Sequence, residues 1–206
     1  MSSSVGGLSS GKVVVGRGAA RQGWWLVADE ADGGVRVLAG PFSERAEAGL
    51  AAGPEQDGGR PVFGARRADG GFTRRPSPQD WAWLAHLGGQ LDRLPEDWDA
   101  DLPDDDPLTT AVVEVAAALS EAGLPVHDAD GPDSVHGGAC LIPDQDLGGV
   151  VVSWRQHDRM SVDQVHGATA DALVQQVMNR ALADVLRARG FEVDVLAGAH
   201  LVRTAD

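Results

Sequence analysis

The segment from Gly149 to Gly190 constrains the fold of this 206-residue chain more than any other part of its sequence. It opens with the run Val150-Val151-Val152, which continues to His157 and is typical of a β-strand because β-branched residues favour strands. It ends in the longest amphipathic pattern of the chain, where apolar side chains recur at helical spacing from about residue 170 to about residue 189. A strand followed by a long helix needs a shared core, so this segment is predicted to organise the second half of the protein.

The two faces of the predicted strand, residues 150–157, differ in chemistry. Successive side chains of a strand point to opposite faces, and the face expected in the core carries Val150, Val152 and Trp154. Arg155 and His157 share the other face, and Asp158 follows them. Residues two apart on a strand are roughly 6.6 Å apart, too far for a nucleophile–base pair within this strand. An arginine beside a histidine can bind an anion, so Arg155, His157 and Asp158 are the candidate catalytic residues of an enzyme acting on a small anionic substrate.

The order of predicted elements indicates an α+β protein of two small units, each a mostly antiparallel sheet packed with helices. Residues 1–11 are rich in serine and glycine and predict a disordered tail. Residues 12–95 predict a hairpin, a helix, a second hairpin and a second helix. Residues 96–107 include seven acidic side chains and predict an extended acidic linker. Residues 108–206 predict a second α+β unit that contains the long helix.

The net charge of −14 is unevenly distributed along the chain. Up to Leu94 there are eleven cationic and ten anionic side chains, whereas from Pro95 onward there are six and twenty-one. An acidic half repels phosphate backbones and suits a basic partner, or serves solubility alone. The first functional hypothesis is therefore a non-catalytic, cytoplasmic interaction or regulatory protein whose acidic C-terminal unit binds a protein partner.

Four arginines mark the second predicted hairpin. Arg66 and Arg67 precede its turn, and Arg74 and Arg75 follow it. Such a cluster can contact phosphates, and phenylalanines of the same hairpin are available for base stacking. The second hypothesis is therefore a nucleic-acid-associated protein that uses this hairpin. The negative net charge disfavours that hypothesis, and ion pairs with acids elsewhere in the chain are the alternative role of the four arginines.

Patterns for cofactors and metals are incomplete in this sequence. Gly16-Arg17-Gly18 begins like a dinucleotide-binding turn, but Arg21 stands at the third glycine position and a predicted strand follows it. His136 and Cys140 are the best metal-ligand candidates, yet no paired cysteine or histidine framework accompanies them. The sequence therefore predicts no cofactor and no metal.

The apolar stripe of the long helix allows two arrangements. It is wider than one sheet contact requires, and it comprises Leu173, Val174, Val177, Met178, Ala181, Leu182, Val185 and Leu186. Either two layers cover the stripe within one chain, which is the expected case, or part of it meets a second copy in a homodimer.

The cysteine count bears on the cellular compartment, and the choice of basic residues bears on the kind of genome. Cys140 is the only cysteine, so no intrachain disulfide can form and a reducing cytoplasm is the expected location. Because no apolar run approaches the roughly 18 residues of a membrane-spanning helix, no membrane association is expected. Sixteen of the 17 basic residues are arginine, which is typical of a bacterial genome of high GC content.

Overall fold

The computed structural model describes residues 21–31, 33–53, 58–103, 105–133, 135–161 and 167–203. The predicted tail, residues 1–11, lies outside these ranges. The chain divides into two compact units, with unit 1 ending at Trp81 and unit 2 beginning at Ala82. Each unit contains a four-stranded antiparallel sheet, which confirms the predicted α+β fold with two sheet-containing units.

Unit 1 consists of two hairpins with a short helix between them. Its elements are β1 Gln22–Asp29, β2 Val35–Phe42, α1 Arg45–Leu50, β3 Arg60–Arg66 and β4 Phe72–Arg74, followed by the start of α2 Pro78–Leu91. The strands are hydrogen-bonded in the order β2-β1-β3-β4. A small core on the sheet contains Trp25, Val27 and Val62, and the indole N–H of Trp25 donates to the carbonyl oxygen of Gly64 at 3.2 Å.

Unit 2 contains the end of α2 and the remaining elements of the chain. These are α3 Pro107–Glu121, β5 Gly138–Asp144, β6 Gly149–Arg155, α4 Asp158–Ser161, α5 Gly167–Ala188, β7 Val193–Leu196 and β8 Ala199–Arg203. The strand order is β5-β6-β8-β7. Asp106 caps α3, because its carboxylate accepts the backbone N–H of Leu108 at 2.8 Å. Among the helices of the described ranges, none combines the length and the apolar character needed to cross a membrane.

The core of unit 2 lies between one face of its sheet and helices α3 and α5. The alternation predicted along β6 is present: Val150 and Val152 are fully buried, and Trp154 packs against the same core. Val112 and Leu119 of α3 are fully buried in that cluster as well. The predicted strand ends two residues early, at Arg155, so His157 lies in the loop after it.

The acidic segment 96–107, predicted as an extended linker, is not where the structure divides the chain, since the division falls within α2. The described part of this segment forms turns, and the Trp98 N–H donates to the Pro95 carbonyl oxygen at 3.1 Å. Both Leu94 and Trp98 pack against the core of unit 2. Burial of these two apolar side chains therefore outweighs the charge repulsion that favours an extended segment.

The buried face of α5 differs from the predicted stripe in its first half. Leu182 and Leu186 are fully buried, as expected, whereas Leu173, Val174 and Val177 are 59%, 37% and 55% exposed. The assignment of these three side chains to the core of the chain is therefore wrong. The hypothesis that they meet a second copy stays a prediction.

Amide side chains stand where the middle of α5 meets the sheet. Strand β8 pairs with β6 only as far as Val152, which leaves Trp154 without a strand partner on that side. Asn179 accepts the Trp154 N–H at 2.7 Å and donates to the Gly198 carbonyl oxygen at 2.9 Å. Gln175 donates to the Trp154 carbonyl oxygen at 2.6 Å. Backbone polar groups must find partners when buried, so amides occupy the inner face here and the apolar residues turn outward.

Candidate functional site

Arg155, His157 and Asp158, the predicted catalytic residues, lie together at the end of β6 and the start of α4. Arg155 Nη2 lies 3.1 Å from Asp158 Oδ1, so this guanidinium group already has a carboxylate partner. Nδ1 of His157 accepts the backbone N–H of Arg159 at 3.1 Å. These contacts hold the turn into α4, and an anion at Arg155 would compete with Asp158. The enzyme hypothesis stays a prediction to which this geometry adds no support.

His136 and Cys140, the predicted metal candidates, have separate environments. His136 Nδ1 lies 3.4 Å from Asp133 Oδ1, and its ring packs edge-on against that of His157 with the centroids 5.3 Å apart. Cys140 lies in β5, where burial raises the pKa of its thiol. Within the described ranges, no group of three or more His, Cys, Asp or Glu side chains could hold a metal ion.

The four arginines of the β3–β4 hairpin fall into two pairs. Arg66 and Arg67, the turn pair, precede the turn, and Arg67 Nη2 lies 3.1 Å from Asp69 Oδ2. The cleft pair is Arg74, the last residue of β4, and Arg75, which follows it. Both line a cleft of about 590 Å³ in unit 1, to which the turn pair does not contribute. The cluster that the sequence predicted as one patch is therefore divided by the structure.

The unit 1 cleft gains a third arginine and two aromatic rings from other elements. Arg45, the first residue of α1, holds its guanidinium carbon 5.9 Å from the centroid of the Trp24 ring. Trp24 of β1 lies opposite Phe63 of β3 and meets it edge to face, with the centroids 5.5 Å apart. The cation–π contact orients Arg45 without neutralising its charge. All three residues line the cleft together with the cleft pair.

The charge of the unit 1 cleft is positive. Asp80 is the one acidic side chain among its described lining residues, and the backbone N–H of Ser77 donates to its carboxylate at 2.7 Å. Hydrogen bonds from Ser77 hold the pKa of Asp80 below its ordinary value, and Arg45 acts in the same direction. None of the ion pairs found within the described ranges includes Arg45, Arg74 or Arg75. Among the described residues, these three guanidinium groups are therefore not held in an ion pair with a carboxylate.

Sequence reasoning missed Arg45 and Trp24 as site residues. Each belongs to an element that the sequence predicts, but no spacing along the chain shows that the start of α1 lies over β1. The capping box of Glu44 and Glu47 marks the start of the helix and could have drawn attention to Arg45 as its first residue. Its position over Trp24 depends on the tertiary fold alone.

A smaller groove in unit 2, the acidic groove, brings together carboxylates from two separate segments. Asp97 and Asp101 of segment 96–107 line it with Asp144, the last residue of β5, and Asp146, which lies in the turn between β5 and β6. Its volume is about 290 Å³, and the partly exposed ring of Trp98 contributes to its wall. Carboxylates beside an aromatic ring suit a lysine or arginine side chain.

No family model matches this chain, and no curated protein or solved structure matches it either. The chain is described by its own fold and clefts as a two-unit α+β protein with a basic, aromatic cleft in unit 1 and an acidic groove in unit 2.

Proposed function

We propose that this is a non-catalytic, cytoplasmic binding protein whose unit 1 cleft binds single-stranded nucleic acid. The observation that carries the proposal is the convergence of Arg45, Arg74 and Arg75 in one cleft with Trp24 and Phe63. Guanidinium groups match phosphate oxygens with two parallel hydrogen bonds, and aromatic or guanidinium planes stack on bases of any sequence. The single cysteine supports the cytoplasmic location, because such a chain needs no oxidising compartment.

The net charge of −14 opposes nucleic-acid binding, but its location limits that opposition. Unit 1 has ten cationic and nine anionic side chains, whereas unit 2 has seven and twenty-two. Exposed charges farther apart than about 8 Å are largely screened at physiological ionic strength. A phosphate in the cleft therefore responds mainly to the three arginines of its wall, and binding is expected to be weak and salt-dependent.

Removing the cleft pair, as Arg74→Ala/Arg75→Ala, is expected to weaken binding of a single-stranded oligonucleotide at least tenfold at low salt. Each lost charge-assisted hydrogen bond is worth about 1.5–3 kcal/mol, and about 1.4 kcal/mol is a tenfold change. Two lost phosphate contacts should also reduce the slope of log affinity against log salt by about 1.4. Fluorescence anisotropy of a labelled oligonucleotide over a salt series measures both quantities.

The turn pair supplies the matched control for this experiment. Arg66→Ala/Arg67→Ala removes the same charge from the same hairpin outside the cleft, and a loss of affinity below about threefold is expected at the physiological-salt end of the series, where charges farther apart than about 8 Å are largely screened. Equal losses in the two variants would mean that a diffuse patch binds the strand. No binding by the intact protein at low salt would end the proposal.

A second candidate function is binding of a basic segment of a protein partner in the acidic groove. The convergence of Asp97, Asp101, Asp144 and Asp146 beside Trp98 favours it. The acidic excess of unit 2 supports it further, because a large negative field raises the association rate of basic partners. The two proposals concern different units and are independent of each other.

Neutralising two carboxylates of the groove, as Asp101→Asn/Asp146→Asn, is expected to weaken binding of a fluorescent lysine- and arginine-rich peptide about fivefold. Each exposed ion pair contributes about 0.2–1 kcal/mol, so two together account for that factor. Asp92→Asn/Asp130→Asn changes the charge equally at exposed positions outside the groove and should cost less than about twofold. Equal losses by anisotropy would show that the total charge, not the groove, attracts the peptide.

A further inference from the structure

Unit 2 contains a cleft that neither proposed function uses. It lies between helix α5 and the β7–β8 hairpin and has a volume of about 550 Å³. Asp171 and Asn179 of α5 line it, as do Val195 of β7 and His200 of β8. We call it the unit 2 cleft.

Amide groups beside this cleft already have fixed partners. Gln156, which is 7% exposed, donates from Nε2 to the Asp171 carbonyl oxygen at 2.9 Å and to Gln175 Oε1 at 3.2 Å. Both groups of the Asn179 amide are engaged with the backbone of Trp154 and Gly198. The orientation of each amide is set by the partner it must satisfy.

Within the part of the chain that the structure describes, three acceptor atoms at or beside the cleft have no hydrogen-bond partner. They are Asp171 Oδ1, His200 Nδ1 and Gln156 Oε1, and each is shut off from solvent. His200 Nδ1 is an acceptor in the tautomer that carries its proton on Nε2. Native structures leave few buried polar atoms unpaired, so such a group calls for an explanation, and a bound ligand is one.

We propose that the unit 2 cleft binds the ammonium group of a small aliphatic primary amine. An ammonium group has three N–H donors and no acceptor, which complements a set of unpaired acceptors, and its charge matches the Asp171 carboxylate. Because these atoms are shut off from solvent, binding requires the partly buried Asp171 carboxyl group and His200 ring to turn toward the cleft that both residues line. Val195 and Leu196 supply apolar contacts for the alkyl chain.

The lining residues favour an amine without a carboxylate. Arg180 is the cationic side chain among the described residues that line the cleft, and it is 83% exposed with its Nε 3.5 Å from Asp184 Oδ2. An exposed, paired guanidinium group offers little to the acid of a zwitterion. The ligand class is therefore an alkylammonium ion.

Isothermal titration of the intact chain with n-butylamine hydrochloride at pH 7 tests this inference. A single saturable site is expected, with a dissociation constant on the order of millimolar for so small a ligand. Asp171→Asn should weaken binding at least tenfold. Asp130→Asn removes the same charge from an exposed position of unit 2 outside the cleft and should change affinity less than twofold. Equal losses of n-butylamine affinity in the two variants, or no saturable binding to the intact chain, would overturn the inference.

Two analogues separate charge from hydrogen bonding. Butan-1-ol keeps the chain without the charge, and n-butyltrimethylammonium keeps the charge without N–H donors; both should bind at least tenfold more weakly than n-butylamine. A quaternary ion that binds as tightly as the amine contradicts a role for the unpaired acceptors. A capped Gly-Lys-Gly peptide that binds as tightly would assign the cleft to a lysine side chain of a protein instead.

A second variant guards against a folding defect. If circular dichroism shows that Asp171→Asn does not fold, His200→Phe removes the other unpaired acceptor of the cleft and should also weaken n-butylamine binding at least tenfold. Unchanged binding by a folded His200→Phe chain would overturn the inference. Because Arg74→Ala/Arg75→Ala lies in unit 1, that variant should bind the amine normally, so this inference and the nucleic-acid proposal can fail separately.

Discussion

Leu182→Ala is expected to destabilise unit 2 by about 3–5 kcal/mol, while Leu173→Ala in the same helix should cost less than about 0.5 kcal/mol. Leu182 is fully buried between α5 and the sheet, so its truncation loses apolar burial and leaves a cavity in a packed core. Leu173 is 59% exposed, and alanine is at least as good a helix former as leucine. Urea unfolding followed by far-ultraviolet circular dichroism measures both costs.

The same pair of variants also addresses the predicted homodimer. If Leu182→Ala and Leu173→Ala lowered the free energy of unfolding by similar amounts at low protein concentration, the buried face assigned to α5 would be wrong. A cost of Leu173→Ala that grows as the protein concentration rises would instead support the hypothesis that this face meets a second copy, because dimer stability depends on concentration. Sedimentation of the unmodified chain over the same concentrations provides the independent measurement.

Asn179→Ala is expected to destabilise unit 2 by about 1–3 kcal/mol, the second largest effect on stability. The substitution removes the partner of the Trp154 N–H and of the Gly198 carbonyl oxygen, and a buried unpaired group costs about 1–3 kcal/mol. Asn179 is only 7% exposed, but Gly198 is an exposed residue that lines the unit 2 cleft, so water can reach its carbonyl oxygen and the Trp154 N–H is the group left unpaired. Gln176→Ala, at an exposed position of the same helix, should change the free energy of unfolding by less than about 0.5 kcal/mol.

Asn179→Leu distinguishes hydrogen bonding from packing at this position. Leucine restores the apolar residue that helical periodicity favours, yet it leaves the Trp154 N–H unpaired. We therefore expect Asn179→Leu to be destabilising as well, by about 1–3 kcal/mol in the same urea experiment. A leucine variant as stable as the unmodified protein would show that the amide is dispensable.

Much of the fold could be predicted because its signals are local. The alternation of Val150, Val152 and Trp154 identified the core face of β6, since side chains of a strand change face at every residue. The start of α3 has a local cause as well, because the cap residue Asp106 and the fixed φ of the proline after it both favour a helix. Such features depend only on residues that are close together in the sequence, so they can be recognised without the structure.

Errors arose where a distant backbone group decided which side chain is buried. Periodicity placed Leu173 and Val177 in the core, but the end of β6 needs hydrogen-bonding partners that β8 does not reach to supply. Gln175 and Asn179 provide them from the inner face of α5, so Leu173 and Val177 face outward. Similarly, charge alone predicted an extended segment at 96–107, and the docking of Trp98 on the core could not be foreseen from spacing.

The candidate sites, like the fold, were predicted in part from the sequence and decided in part by the tertiary structure. The sequence by itself determined the α+β class, the faces of β6, the uneven charge and the presence of arginines on the β3–β4 hairpin. Only the tertiary structure separated Arg74 and Arg75 from Arg66 and Arg67 and added Arg45 over Trp24. It also brought the helix residue Asp171 and the strand residue His200 to one cleft. The physical reason is that periodicity and propensity act over a few residues, whereas a binding site is made by strand register and helix packing between residues far apart in the chain.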